Sequence, residues 1–148
     1  MNFETNGGFL ISQIKQVSGR IFEKLLSNAG VDAFNGAQGR ILYVLWQQDN
    51  IPIIELSKKT GLAKTTLTSM LDRMEAAGLV SRIFDKIDRR QIRIVLTEQA
   101  HTLSGEYESV SQAMNQIYYN GFSEAEILAF ENTLKRILKN LDESENRI

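Results

Sequence analysis

Apolar side chains recur every three or four positions near the amino terminus, at Leu10, Ile14, Val17, Ile21 and Leu25. This is the period of an amphipathic α-helix. The sequence therefore predicts a helix from Phe9 to Leu26, with Gly30 as its carboxyl-terminal cap.

Three more helices are predicted before residue 80. One begins at Asn35, because Asn35 and Gln38 have the spacing of a capping box. Pro52 follows its end, since proline cannot continue a helix. The next two are separated by a tight turn: Ile53 to Thr60, closed by Gly61, and Lys64 to Ala77, closed by Gly78.

After residue 78 the apolar period changes from 3.6 to two, which is typical of β-strands. One short run surrounds Ile83, and a second runs from Ile92 to Leu96. The charged stretch 85–90 lies between them. These features predict a β-hairpin whose tip carries the charges.

The rest of the chain predicts two long amphipathic helices. Thr97 can cap the first, and Ser123 and Glu126 form a capping box for the second. The apolar positions of the second run from Ile127 to Leu141. The whole pattern predicts a mainly α-helical fold with a small β-hairpin.

Composition narrows the chemistry. The 148 residues are 43% hydrophobic and 24% charged, as in an ordinary globular chain of one domain. There is no cysteine, a single histidine, His101, and no glycine-rich phosphate loop. We therefore expect no metal site, no cofactor and no enzymatic activity.

No apolar run reaches the roughly 20 residues of a membrane span, and the first residues do not resemble a signal peptide. A cytoplasmic protein without membrane contact is therefore expected.

Charge is distributed unevenly along the chain. The net charge is −1, but residues 51–100 carry nine Lys and Arg against six Asp and Glu, a net of +3. Residues 1–50 balance at four against four, and residues 101–148 have four against eight, a net of −4. The basic charge is concentrated where the helix pair and hairpin are predicted.

The order helix, tight turn, helix and hairpin predicts a winged helix-turn-helix spanning residues 35–97. Lys64, Thr65, Thr68 and Ser69 lie off the apolar stripe of the second helix. A major groove accepts such a helix, and an arginine-bearing hairpin tip suits the minor groove. The region is thus predicted to bind double-stranded DNA.

The sequence resembles the MarR/SlyA family of transcriptional regulators over essentially the whole chain. The resemblance lies in the runs ELSKKTGL (55–62), LDRMEAAGLVSR (71–82) and DRR (88–90), followed by Leu96-Thr97. It implies a homodimer in which the helices of residues 9–30 and 98–141 form the interface. It also implies a small aromatic or amphipathic effector, with a binding site that the sequence does not reveal.

The resemblance also implies roles for individual residues. Thr65, Thr66 and Ser69 would face DNA bases or backbone, and Lys64 and Arg73 would contact phosphate. Arg89 or Arg90 would enter the minor groove, and Asp72 would support the wing by pairing with a wing arginine, Arg90 being favoured. The full set expected to contact DNA is Lys64, Thr65, Thr66, Thr68, Ser69, Arg73, Lys86, Arg89 and Arg90. One departure is Ala63 at the start of the second helix, where the family commonly has a capping side chain that alanine lacks.

Two alternatives stay open at this point. The net charge and the missing cap are compatible with a winged-helix protein-interaction module that has lost DNA binding. The aromatic residues could line an effector pocket, although core packing is their more general role; they are Tyr43, Trp46, Tyr107, Tyr118 and Tyr119.

Overall fold

Residues 3–148 are described by the computed structural model. In this range the helices are α1 (Gly7–Asn28), α2 (Gly36–Gln47), α3 (Ile53–Thr60), α4 (Lys64–Ala76), α5 (Glu98–His101), α6 (Ser104–Tyr118) and α7 (Glu124–Glu145). The strands are β1 (Ile51–Pro52), β2 (Val80–Phe84) and β3 (Ile92–Leu96). The predicted class, mainly helical with a winged helix-turn-helix, is confirmed.

The predicted helix ends are largely confirmed. The capping box at Asn35 and Gln38 forms in both directions, as does the box at Ser123 and Glu126. Gly30, Gly61 and Gly78 all follow helices with positive φ, the left-handed conformation that glycine adopts without steric cost. These local signals act within a few residues, which is why the sequence reveals them.

One hydrophobic core joins α2, α3, α4 and the sheet. Its fully buried side chains include Leu45 of α2, Leu56 of α3, Leu71 of α4 and Ile94 of β3. The apolar stripe predicted for α4 faces this core at Leu67, Leu71 and Met74. The opposite face of α4 is left to solvent.

The sheet has three antiparallel strands, not the two that were predicted. Its order is β1-β3-β2, with Ile51 opposite Ile94 and Pro52 opposite Arg93 in the added pair. Periodicity cannot reveal a two-residue strand, and Pro52 was predicted only to end a helix. Proline is compatible with this position because β1 is an edge strand.

The long helix predicted after Thr97 is interrupted. Thr97 does cap α5, since its hydroxyl accepts the N–H of Ala100 at 3.2 Å. The chain then tightens, with N–H groups of Thr102 and Leu103 bonding carbonyls three residues back. The helix restarts at Ser104, so the predicted single helix is wrong in this detail.

The structure comprises two compact units, one ending at Met114 and the other formed by residues 115–148. The first contains α1 to α5, the sheet and most of α6. In the second, Tyr119 donates a 2.6 Å hydrogen bond to Glu131 of α7, which raises the pKa of Tyr119 to about 12. Within residues 3–148 no helix is both long and apolar enough to cross a bilayer.

Candidate nucleic-acid interface

The turn between α3 and α4 fixes how α4 is presented. Gly61 has a φ of 75°, and its N–H bonds the carbonyl of Ser57 at 2.9 Å. The Ser57 hydroxyl donates to the carbonyl of Leu62 at 2.6 Å, and Thr60 donates to Leu56 at 2.8 Å. Hydroxyl groups therefore satisfy backbone carbonyls that the sharp turn leaves open.

The outer face of α4 carries most of the side chains predicted to contact DNA. Thr65, Ser69 and Arg73 follow one another at intervals of four and are exposed, with Thr66 beside them. Lys64, also exposed, begins the helix. This gives α4 a hydroxyl-rich face with a cation near each end.

Thr68 differs from the other members of this set. It is half-buried, and its hydroxyl donates to the carbonyl of Lys64 at 2.8 Å. Its proton is therefore used inside the helix, which leaves the oxygen as an acceptor and the methyl group as an apolar contact.

Ala63 occupies the capping position of α4 with extended backbone angles and no side-chain cap. The structure thus confirms that no side chain caps the start of α4, and Thr66 does not supply a cap either. The capping residue therefore offers no side-chain acceptor to the first backbone N–H groups of α4.

Asp72 supports the wing, which is the hairpin of β2 and β3. Its partner is not the one that was predicted. Its carboxylate lies 2.6 Å from the guanidinium of Arg82 on β2, and Arg90 is paired elsewhere. The prediction of an Asp72–Arg90 pair is therefore wrong. Arg82 lies at a strand position, whereas the family resemblance implied a partner at the tip of the hairpin.

Glu75 completes this junction between α4 and β2. It accepts the side chain of Arg82 at 2.7 Å and the backbone N–H of Arg82 at 3.1 Å. The side-chain bond from Arg82 is the main reason why the pKa of Glu75 is lowered, and the same contacts raise the pKa of Arg82. Helix α4, which has the position of the recognition helix in a winged helix-turn-helix, is thus joined to the wing by a three-residue ion network.

A second arginine braces the tip of the wing. Arg93 of β3 donates to Asp85 at 2.9 Å and to the side-chain oxygen of Asn50 at 2.8 Å. Asp85 also accepts the N–H groups of Asp88 and Ile87, at 3.1 and 2.8 Å. These two backbone bonds, followed by the bond from Arg93, lower the pKa of Asp85. The hairpin turn is therefore organised around one carboxylate.

The two arginines at the tip are not equivalent. Arg90 is almost fully exposed and its guanidinium lies 3.1 Å from Asp88. Arg89 is exposed, as is Lys86, and neither has an acidic partner among residues 3–148. Asp88 therefore orients one arginine and leaves the other free.

Ion pairing separates the cations of residues 51–100 into two groups. Five of the six acidic residues in this segment are paired internally, with Lys59, Arg82, Arg90 or Arg93. Within the described part of the chain, five cations of the segment have no such partner: Lys58, Lys64, Arg73, Lys86 and Arg89. Four of these five were predicted to contact DNA, and Lys58 of α3 was missed.

Leu96 and Thr97, at the end of the wing, have different structural roles. Leu96 is buried, and the Thr97 hydroxyl donates to the carbonyl of Gly78 at 2.7 Å while capping α5. One residue packs the sheet and the next ties β3 to the turn after α4.

The aromatic side chains form two clusters. Tyr107 packs against Phe22, Phe34, Tyr43 and Trp46 with ring centroids 5.5 to 6.0 Å apart. In the second unit Tyr119 packs against Tyr118, Phe122 and Phe130. A cleft of about 550 Å³ beside α1 has none of these tyrosines and no tryptophan in its lining, which includes Glu23, Leu26, Asp32, Phe34 and Gln38.

Comparison with known proteins agrees with this geometry. The MarR family model matches residues 34–92, which cover the helix-turn-helix and most of the wing. The winged region of this chain therefore matches the MarR family.

Two sequence relatives and one solved structure are similar to this chain. The chain is 31% identical to the HTH-type transcriptional regulator TtmR of Methylorubrum extorquens over 68% of its own length and 50% of TtmR. It is 33% identical to YsmB of Bacillus subtilis, an uncharacterized HTH-type transcriptional regulator, over 63% of its length and 64% of YsmB. The chain thus spans 50% of TtmR and 64% of YsmB, less than two thirds of either relative. A mutant MarR from E. coli complexed with operator DNA has 27% identity and a TM-score of 0.78, over 88% of this chain and 92% of that one.

Proposed function

We propose that the protein is a transcriptional repressor that binds a pseudo-palindromic DNA operator as a homodimer. The observation that carries the proposal is the segregation of charge in the winged region. Its acidic side chains are used in internal pairs, while Lys64, Arg73, Lys86 and Arg89 remain free on α4 and the wing. Free cations next to a helix with an exposed hydroxyl-rich face match the phosphate walls and base edges of a duplex.

In this proposal α4 enters the major groove. Thr65, Thr66 and Ser69 contact base edges or backbone, and threonine methyl groups can meet thymine methyl groups. Lys64 and Arg73 bind phosphates on either side, and the Thr68 oxygen is a further acceptor. The threonine and serine side chains of this face cannot make a bidentate contact to guanine as arginine does, so part of the specificity is expected to come from DNA shape.

The wing enters the adjacent minor groove. The negative potential of a narrow A·T-rich minor groove attracts arginine, and both Arg89 and Arg90 are exposed at the tip. Arg90 is paired with Asp88 at the tip, and Lys86 is free to reach phosphate. The E. coli MarR complexed with operator DNA, similar in fold and sequence, supports a DNA-bound role for this surface.

The homodimer is supported by apolar side chains left exposed on two helices. In the first unit, α1 exposes Phe9, Leu10, Ile11, Ile14 and Val17. In the second unit, α7 contains no buried residue and exposes Leu128, Phe130, Leu134, Ile137, Leu138 and Leu141. Apolar surface of this extent is typical of an association surface, and a second copy would place two recognition helices about 34 Å apart, one helical turn of DNA.

Effector release forms the last part of the proposal. A small aromatic or amphipathic molecule that prefers the DNA-incompetent dimer would shift the population away from the operator. The open cleft beside α1 is the site we would test first. Because Glu23 and Asp32 line it, we expect neutral or cationic ligands to be favoured over anionic ones.

The test is a competition and salt titration. A duplex enriched by the wild-type protein from a randomised pool is compared with random duplex near physiological salt. We expect the protein to bind the enriched duplex at least about a thousandfold more tightly than random duplex, which is the lower end of the range for specific binding. The logarithm of affinity should fall steeply and linearly with the logarithm of salt concentration.

The matched variants remove equal charge from different places. Arg89→Ala with Arg90→Ala should reduce the magnitude of the salt slope by about two. Lys24→Ala with Arg147→Ala removes the same charge outside the winged region and should leave the slope unchanged. Absence of duplex binding by the wild-type protein at low salt would instead favour the protein-interaction module.

A further inference from the structure

The wing exposes apolar side chains next to its cations. Ile83, Phe84 and Ile87 are 43%, 68% and 98% exposed. Ile87 stands in the turn itself, where small polar residues and glycine are usual. A branched apolar side chain at this position gains nothing from the fold of its own chain.

The backbone around Ile87 is held firmly. Its N–H donates to the carboxylate of Asp85. The same carboxylate also accepts hydrogen bonds from the N–H of Asp88 and from the guanidinium of Arg93. Arg93 is in turn bonded to Asn50 at the start of β1. The turn therefore presents the Ile87 side chain to solvent from a braced position.

The charges beside Ile87 indicate what it meets. Lys86 precedes it and Arg89 follows two residues later, both without an acidic partner in the part of the chain that the structure describes. An apolar group flanked by free cations matches a surface that is anionic at its rim and hydrocarbon at its walls. The DNA minor groove has this composition, because deoxyribose carbons line it between two rows of phosphates.

We propose that Ile87 enters the minor groove as an apolar contact and packs against deoxyribose carbons next to the groove position of the wing arginines. This inference rests on the proposed DNA-binding function and adds a contributor to it. Apolar side chains are used in this way by other minor-groove proteins. The contact releases no counterions, so it adds affinity without adding salt dependence.

The experiment compares Ile87→Ser, Ile87→Val and Ile148→Ser on the duplex enriched by the wild-type protein. Ile148 is fully exposed at the carboxyl end, so its substitution is a matched control. We expect Ile87→Ser to lower affinity at least about tenfold at every salt concentration, the effect of losing one buried aliphatic side chain. The salt slope should not change, Ile87→Val should retain most of the affinity, and the control should equal the wild type.

Four outcomes would overturn the inference. The first is an Ile87→Ser affinity within about twofold of the wild type, while the wild type binds normally. The second is a loss of affinity with a salt slope reduced by about one, which would assign the effect to a displaced arginine. The third is a changed oligomeric mass, which would place Ile87 against a second copy, and the fourth is an effect on transcription without one on DNA affinity. Failure of the wild type to bind any duplex would refute the proposed function itself.

Discussion

At the residue scale, Arg82 has the most consequential contacts in the winged region. Its guanidinium reaches both Asp72 and Glu75 of α4 while its backbone N–H binds Glu75 as well. A planar guanidinium with five donors can bridge two carboxylates, which a lysine ammonium does less well. This side chain therefore joins the wing to α4 in addition to the hydrophobic core that they share.

The Glu75–Arg82 contact predicts a pH dependence of stability. Because the pKa of Glu75 is lowered in the folded state, its contribution is present above the ordinary value of 4.5 and is lost as the pH falls through the folded-state value. Glu75→Gln should therefore destabilise the protein at pH 7 and differ less from the wild type at pH 3. Urea unfolding at both pH values measures this.

The control for this prediction is Glu106→Gln, at an exposed glutamate with no ion pair among residues 3–148. Its difference from the wild type should be small at either pH. A Glu75→Gln difference that is constant from pH 7 to pH 3 would contradict the linkage.

The unfilled cap of α4 gives a second prediction at this scale. Ala63 already has the extended backbone of a capping residue, so Ala63→Ser should supply an acceptor for the N–H of Thr66. We expect a gain of roughly 0.5–2 kcal/mol in the free energy of unfolding. Denaturant unfolding of Ala63→Ser and of the wild type tests it, and a serine variant no more stable than the wild type would show that the serine makes no cap.

At the scale of elements, the wing is a braced hairpin whose turn depends on Asp85. Asp85→Ala removes the acceptor of two backbone N–H groups and of Arg93. We expect DNA affinity to fall about tenfold or more, although the variant is one unit more positive. An affinity titration measures this directly.

Asp32→Ala is the charge-matched control, since Asp32 is exposed and lies outside the winged region. It should bind DNA as well as the wild type or slightly better. If Asp85→Ala also bound DNA more tightly, net charge rather than the shape of the turn would govern the wing.

The sequence predicts what is encoded locally and misses what depends on distant pairing. Capping boxes, glycine helix ends and the alternation of β3 are local, and each is confirmed. Strand β1 is two residues long and is defined only by its pairing with β3, where Ile51 lies opposite Ile94 and Pro52 opposite Arg93. The partners of Asp72 and Arg93 likewise depend on how strands and helices pack, so residue type and spacing could identify the charged side chains but not pair them.

At the scale of the whole molecule, the proposed dimer predicts that one charge on α7 disrupts assembly. Leu138 is 57% exposed, so Leu138→Glu costs little within one chain but places a carboxylate in an apolar interface. We expect a monomer by light scattering and a loss of operator binding. The helix content should be unchanged by circular dichroism.

Asn140→Glu adds the same charge two positions along the same helix, on another side. This variant should remain dimeric and bind DNA. A Leu138→Glu protein that stays dimeric would exclude this face of α7 from the interface.

The internal pairing of acids and arginines in residues 51–100 has a consequence for how the protein is used in a cell. Pairing within residues 3–148 leaves five of the nine cations free, and the chain as a whole is slightly acidic, so we expect weaker attraction to random chromosomal DNA than nine free cations would give. Fewer copies would then be sequestered on the wrong sites. In that case a small number of molecules would suffice to keep one promoter occupied. A modest change in their number would change the fraction of time for which that promoter is bound.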